Sequence, residues 1–434
     1  MKTVAYHNLG CKVNSYEMDA MLEALKAKGY KIVPFEEKAD IYIVNTCTVT
    51  NIADRKSRQM LHRAKKTNPN AVVVAAGCYV QSDNAAAEAD DAVDLVIGNN
   101  KKKDLVSILE NYMAGLEAQT ETVIDINHTD EYEEMQLTGT QEHTRAYIKI
   151  QDGCNQFCTY CIIPYARGRV RCRRQEDILG EIKGLARKGY QEFVLTGIHI
   201  SSYGSENLLE LMRAIDIVDG VKRIRLGSFE PRIVTPEFAR ALAGIEHICP
   251  HFHLSMQSGC EEVLKRMNRH YTPQQFMEGV KVLRSVFEHP AITTDVIVGF
   301  PGETDEEFEE TARFVEKVGF YEMHIFKYSK RKGTKAAVME NQISEAEKAR
   351  RSDVLEEIEK RDSESFRRYY IGKVTDVLFE EEKEINGAKY WVGHTKEYVK
   401  AAVLSDGGAN FSNKLITGTI TSLLDGETML LSIK

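Results

Sequence analysis

Short apolar runs and helix-periodic stretches take turns along the first quarter of the chain. Runs at 3–7, 41–45, 71–76 and 95–98 predict strands, and apolar positions recurring every three to four residues over 17–28 and 53–66 predict helices between them. Strands that alternate with helices make a parallel sheet, so residues 1–115 predict an open α/β domain. Residues 111–144 then lose periodicity and turn polar, with Glu131, Glu133 and Glu134 close together, which predicts an acidic linker over 116–143. From 144 the alternation resumes, with strands at 146–151, 192–196, 223–227, 251–256, 293–298 and 322–327 and a charged helical stretch over 344–370. Six β/α units predict an open, partial barrel in residues 144–370. Past 371 the period shortens to two, and strands at 373–379, 389–392, 398–403, 415–421 and 429–433 separated by Gly turns predict a small five-stranded β-barrel. The fold class is therefore α/β with a terminal all-β module.

Composition narrows the setting. The 434 residues carry a net charge of -8, which gives no global pull toward a polyanion. Nine cysteines, an odd number, in a chain without an apolar leader or membrane-length apolar run point to reduced thiols, a cytoplasmic location and no membrane.

Three of those cysteines stand out. Cys154, Cys158 and Cys161 have the spacing CxxxCxxC, which gathers three thiolates in one loop, enough to hold three irons of a [4Fe-4S] cube and leave the fourth iron open to a ligand. Structural zinc wants four ligands, and the next cysteine, Cys172, is eleven residues further on. The loop follows the first barrel strand, which places it at the C-terminal mouth, where barrel active sites form. The ends of the other strands supply further mouth candidates: Gly197 and His199, Ser228 and Glu230, Gln257 and Ser258, and Gly299. Glycine there would admit a ligand close to the backbone, although Gly299 and Gly302 also fit a plain Phe-Pro-Gly turn with Glu303 capping the helix after Thr304.

Cys11, Cys47 and Cys78 each follow a predicted strand of the first domain. The loops after parallel strands share one edge of the sheet, so these three also meet and predict a second cluster site. Basic runs add a phosphate-binding expectation: residues 166–174, with Arg167, Arg169 and Arg171, the helix 55–66, and 327–332. In the last module seven Lys and no Arg stand against nine Asp plus Glu, so RNA contact there falls to a local patch of Lys396, Lys400 and Lys414 beside Tyr398 and Phe411.

The order of a three-cysteine α/β domain, a CxxxCxxC barrel and a terminal small β-barrel resembles the methylthiotransferases over nearly the whole chain. The loop itself resembles the radical S-adenosylmethionine (SAM) signature. Residues 7–14, 45–49 and 152–168 look like the MtaB-type branch, whose members add a methylthio group at C2 of N6-threonylcarbamoyladenosine at tRNA position 37, next to the anticodon. The resemblance implies two [4Fe-4S] clusters and two SAM molecules. Cys154, Cys158 and Cys161 would hold the SAM-cleaving cluster, Tyr160 and Gly197 would sit near adenine, and Cys11, Cys47 and Cys78 would hold the sulfur-carrying auxiliary cluster. Ser228, Glu230, Gln257 and Gly299 are further SAM candidates, with Arg167, Arg169, Arg171, His199 and Lys400 candidates for RNA. It also implies a TRAM-like last module, an electron donor such as a flavodoxin or ferredoxin, and a monomer. Other members modify isopentenyladenosine in tRNA or an aspartate of a ribosomal protein. An iron-sulfur RNA-binding sensor without catalysis is the reading from another class.

Overall fold

The computed structural model describes residues 1–116, 121–139 and 144–433. Five parallel strands, β1 (Thr3–Asn8), β2 (Lys31–Val33), β3 (Ile41–Thr46), β4 (Val72–Gly77) and β5 (Leu95–Ile97), form the first sheet in the order β2-β1-β3-β4-β5. The central β3 is buried on both faces, which is why its sequence, Ile-Tyr-Ile-Val-Asn-Thr, is apolar without alternation. Helix α1 (Lys12–Ala27) follows β1, and α2 (Asn51–Thr67) follows β3 with the Thr50 hydroxyl accepting from the Ala53 N–H as its cap.

The barrel is a curved row of six parallel strands: β6 (Ala146–Asp152), β8 (Glu192–Gly197), β9 (Arg223–Leu226), β10 (His251–His253), β11 (Ala291–Val298) and β12 (Glu322–Lys327). The two-residue β7 (Arg171–Cys172) pairs antiparallel at the outer side of β6. Isolated bridges, Ile224 to Ile248 and Phe229 to Leu254, carry the row across from β9 to β10.

Apolar residues of α1, among them Tyr16, Met18, Leu22 and Leu25, share one continuous core with Ile148, Phe193 and Leu195 of the barrel. The first domain is thereby fixed to the barrel by buried apolar area, and truncating Leu22 to Ala would cost roughly 2–5 kcal/mol.

The predicted linker is a packed strap over its described residues. Met135 and Leu137 are buried, Glu133 accepts from the Lys103 N–H at 2.9 Å, and the Tyr132 hydroxyl donates to the Lys149 carbonyl at 2.9 Å. Its acidity mattered locally: Glu134 pairs with buried Arg173. Residues 117–120 and 140–143 of that prediction lie outside the described residues.

The last module closes as a barrel of β13 (Val374–Ile385), β14 (Ala388–His394), β15 (Lys400–Leu404), β16 (Leu415–Leu423) and β17 (Met429–Ser432). Strand β13 runs six residues beyond its predicted end, into a hairpin at Asn386-Gly387 with φ of 51° and 80°. The Asn-Gly pair is the signal for that turn, and the four glutamates before it obscured the strand.

Candidate active site

The CxxxCxxC loop leaves the end of β6 through Gly153, whose φ is +72° and whose added Cβ would lie 1.9 Å from the Arg169 carbonyl oxygen. Only glycine fits this reversal. The loop is then tied down by its backbone: the Cys154 N–H donates to the Gly168 carbonyl at 3.0 Å and the Thr159 N–H to the Met267 carbonyl at 3.0 Å. Asn268 donates from Nδ2 to the carbonyls of Gln156 and Phe157, which supports Phe157 in the left-handed region at φ 48°.

The sulfur atoms receive donors. The Gln156 N–H reaches Cys154 Sγ at 3.5 Å and Arg269 Nη1 reaches Cys158 Sγ at 3.3 Å. Burial pushes the Cys154 thiol up to about 11 and, with the Cys158 charge beside it, the Cys161 thiol up to about 12. Three crowded thiolates are costly without a cation among them, and iron supplies that charge. The donors aimed at sulfur and the set of three thiols fit a cube with one open iron.

Cys11, Cys47 and Cys78 come together as expected from their places after β1, β3 and β4. Cys11 caps α1, Cys78 opens the short helix α3 (Cys78–Ser82), and an added Cβ on Gly10 would lie 3.1 Å from Cys47 Sγ. Asn99 Nδ2 reaches Cys78 Sγ at 3.5 Å. Burial, and next the Cys78 charge, push the Cys47 thiol up to about 12. This set also fits a three-thiolate cluster site.

Between the two sites lies a buried ionic seam. Glu17 of α1 pairs with Lys102, Lys149 (2.7 Å) and Arg167 (2.8 Å), while Asp152, next to the cluster loop, pairs with Lys149 at 2.7 Å and Arg167 at 3.1 Å. Arg167 also lies within electrostatic reach of all three first-domain cysteines. It is a buried counter-charge for that site, which corrects the expectation that it touches RNA. Arg171 is likewise buried, donating to the Arg167 carbonyl at 2.9 Å. Arg169 is half-buried over the Phe157 ring at 4.6 Å, and of residues 166–174 the exposed arginine is Arg174.

The mouth candidates divide. A cavity of about 590 Å³ runs through the barrel, with Gly10 and Cys11 at its first-domain end, Gly197 and Ser228 on its wall, and Tyr398 of the last module closing it. Glu230, held at about 2 because bonds from His199 and Arg232 and the charge of Arg269 override its burial, links to the cluster loop through Arg269 at 3.5 Å. His199 is turned to Ser202 (2.6 Å) and Glu230 (3.6 Å), inside the mouth rather than toward an RNA surface. Gln257 has φ 68° and bridges to β11 through its backbone. Gly299 does not line the cavity: an added Cβ would lie 2.3 Å from Lys348 of the helix Glu345–Arg368. Glu303 accepts from the Gly299 N–H and pairs with Arg351, and it is Thr304 that caps the following helix.

Tyr160 stands within the triad, edge-on to Phe300 at 6.5 Å. Tyr398, expected beside an RNA patch, is instead stacked on His394 (4.4 Å) with Arg145 and Arg225 over its ring, docking the last module on the barrel. Lys400 stands in a separate cleft with Lys360 and Arg367 and with Glu322, Glu359 and Glu427.

Sequence reasoning missed Arg269, whose run Met267-Asn-Arg-His-Tyr271 carries no motif spacing, and Asn99.

Residues 148–315 match the Radical SAM superfamily, and residues 3–98 match the Uncharacterized protein family UPF0004. The chain is 41% identical over 406 residues, 92% of it and 90% of the relative, to the threonylcarbamoyladenosine tRNA methylthiotransferase MtaB of Bacillus subtilis. The chain belongs to the radical SAM methylthiotransferases. A second relative of this family, MtaB of Aquifex aeolicus, is 39% identical across 89% of the chain and 95% of its own length. A tRNA-2-methylthio-N(6)-dimethylallyladenosine synthase of Thermoanaerobacter is 35% identical across 87% of the chain and 83% of that protein. Among solved structures, the radical SAM methyltransferase TsrM of Kitasatospora setae shares the fold at a TM-score of 0.58 and 17% identity, covering 78% of this chain and 77% of that one. As a radical SAM methylthiotransferase the chain is a tRNA-modifying enzyme that works with SAM and a [4Fe-4S] cluster.

Proposed function

We propose that the substrate is N6-threonylcarbamoyladenosine at tRNA position 37 and that the enzyme adds a methylthio group at its C2, using two SAM molecules and two [4Fe-4S] clusters. The observation that carries this reading is the cavity reaching from Cys11 to Gly197 at the end of β8 and to Ser228, which puts a ring held there beside a first-domain cysteine. The higher identity to threonylcarbamoyladenosine enzymes than to dimethylallyladenosine enzymes supports the choice of substrate.

The cluster at Cys154, Cys158 and Cys161, when bound, supplies the electron that cleaves SAM. An aromatic C–H offers no acid for a side chain to take, so the protein contributes position and dryness. Arg269 and the Gln156 N–H bond to the ligand sulfurs, Gly197 and Ser228 give SAM access to the wall, and Arg167 balances negative charge at Cys11, Cys47 and Cys78.

For tRNA, two basic runs far apart in sequence meet. Asn51 at the start of α2 bonds to Ser329 (3.0 Å) and to the Lys330 carbonyl (3.0 Å), and Arg331 pairs with Asp54 at 2.7 Å. Exposed Arg55, Lys56, Lys330 and Lys332 thus form one surface for the phosphate backbone, joined in our reading by Arg169 and Arg174. The last module is read as TRAM-like, the donor as a flavodoxin or ferredoxin, and the protein as a cytoplasmic monomer. Among the described residues no helix is long and apolar enough to cross a membrane.

Nucleoside mass spectrometry of tRNA from cells lacking the protein tests the reading. N6-threonylcarbamoyladenosine should persist without its methylthio derivative, and loss of the methylthio derivative of isopentenyladenosine instead would refute the substrate assignment.

A further inference from the structure

The barrel cavity that Cys11 borders has three full cations on its wall, and they differ in what already occupies them. Arg225 donates to Glu192 at 2.9 Å and to the Lys396 carbonyl at 3.0 Å, and Arg145 pairs with Glu380 at 3.5 Å. Lys12, the residue after Cys11 and the first of α1, makes no hydrogen bond or ion pair to any described residue. Asp295, the carboxylate whose charge reaches it, is already paired with His253 at 3.3 Å. His253 turns its other ring nitrogen to Thr293 Oγ1 at 3.0 Å and stacks on His324 at 5.6 Å between centroids, so this side of the cavity is a hydrogen-bonding wall.

Lys12 is exposed on the wall of this open cavity, next to the residue from which sulfur would be delivered, and its ammonium is free to take an anion brought by the ligand. The two candidate nucleosides differ in this respect. An isopentenyl group is apolar, whereas the threonylcarbamoyl group ends in a carboxylate and a hydroxyl. We propose that Lys12 recognises the carboxylate of the N6-threonylcarbamoyl side chain, with His324 and the His253–Asp295 pair offering partners to its hydroxyl. This rests on the substrate reading above and assigns that specificity to named residues.

The test uses anticodon stem-loops that carry either N6-threonylcarbamoyladenosine or its neutral methyl ester, turned over by the full-length enzyme with both clusters. The wild-type enzyme should prefer the free acid in kcat/KM by about tenfold to a hundredfold, the range for removing one partner of a partly desolvated charge pair. Lys12→Met should bring the ratio close to one by raising KM for the acid, and Lys12→Arg should restore most of it. The ratio is taken within one variant, so damage to the neighbouring cluster lowers both arms together. If Lys12→Met is too impaired to turn over, the acid-to-ester ratio is read from binding of the two stem-loops by fluorescence anisotropy. A wild-type enzyme indifferent to the ester, or a Lys12→Met variant that keeps the preference, overturns the proposal. An enzyme that modifies only an isopentenyladenosine stem-loop refutes the substrate reading, a different failure.

Discussion

The guanidinium of Arg167 grips the carboxylate of Glu17 with both terminal nitrogens, Nη1 to Oε1 at 2.8 Å and Nη2 to Oε2 at 3.0 Å, in the buried seam where the first domain meets the barrel. Arg167 belongs to the barrel that carries the CxxxCxxC loop and Glu17 to the first domain. Removing Arg167 strands buried carboxylates and strips positive charge from the first-domain cysteines. Arg167→Met should therefore destabilise the protein by about 3–5 kcal/mol, seen as a lower urea midpoint by circular dichroism. It should also lower iron retention at Cys11, Cys47 and Cys78. An unchanged midpoint would remove the seam from any structural account.

Gly153→Ala isolates the cluster loop from its ligands. The variant keeps all six cysteines but forces a Cβ against the Arg169 carbonyl at a φ of +72°. Reconstituted protein should hold about half the iron, roughly four atoms of eight, with the missing share from the barrel site. Full iron with full SAM cleavage would mean that the loop tolerates this strain.

Arg269 places a cation on Cys158 Sγ at 3.3 Å and another bond's reach from Glu230. A cation beside a cluster favours its reduced, more negative state. In Arg269→Met the reduction potential of the barrel cluster should fall by on the order of tens of millivolts, read by electron paramagnetic resonance during a redox titration. A potential equal to or above wild type contradicts the assignment.

Acid should weaken the dock between barrel and last module. Burial alone would raise Glu192, yet its bonds to Arg225 and the charge of Arg223 hold it at about 2, below its ordinary 4.5. A carboxylate lowered on folding gives stability that is whole above about pH 5 and is lost as pH falls through 4.5 toward 2, about 3 kcal/mol in all. Stability of Glu192→Gln should be lower at pH 7 and flatter with pH across that window. Parallel curves for the two proteins would rule out this linkage.

How far the sequence could be read follows from what kind of signal each feature leaves. The parallel sheets, the barrel strands and the two cysteine sites were legible because periodicity and position after a strand are local signals, and a shared sheet edge then brings Cys11, Cys47 and Cys78 together. The arginines were misread. Arg167 and Arg171 look like a phosphate-binding run, and only tertiary contact with Glu17 and Asp152, far away in the sequence or on another strand, turns them inward. Lys12 was invisible for the opposite reason, because its significance lies in having no partner among the described residues on the wall of a cavity assembled from three domains. The meeting of α2 with Lys330 and Lys332 was equally beyond reach, since it depends on how the first domain docks.

The most direct test of the whole account separates the two cysteine sites in the purified, reconstituted enzyme. Cys11, Cys47 and Cys78 replaced together by Ala should leave a folded protein with about four irons that still forms 5′-deoxyadenosine from SAM and a strong reductant but transfers no methylthio group to tRNA. The matching Cys154, Cys158 and Cys161 variant should lose both activities and keep the other iron. A folded first-domain variant that retains its full iron and still methylthiolates tRNA would contradict the account and return Cys11, Cys47 and Cys78 to ordinary buried thiols.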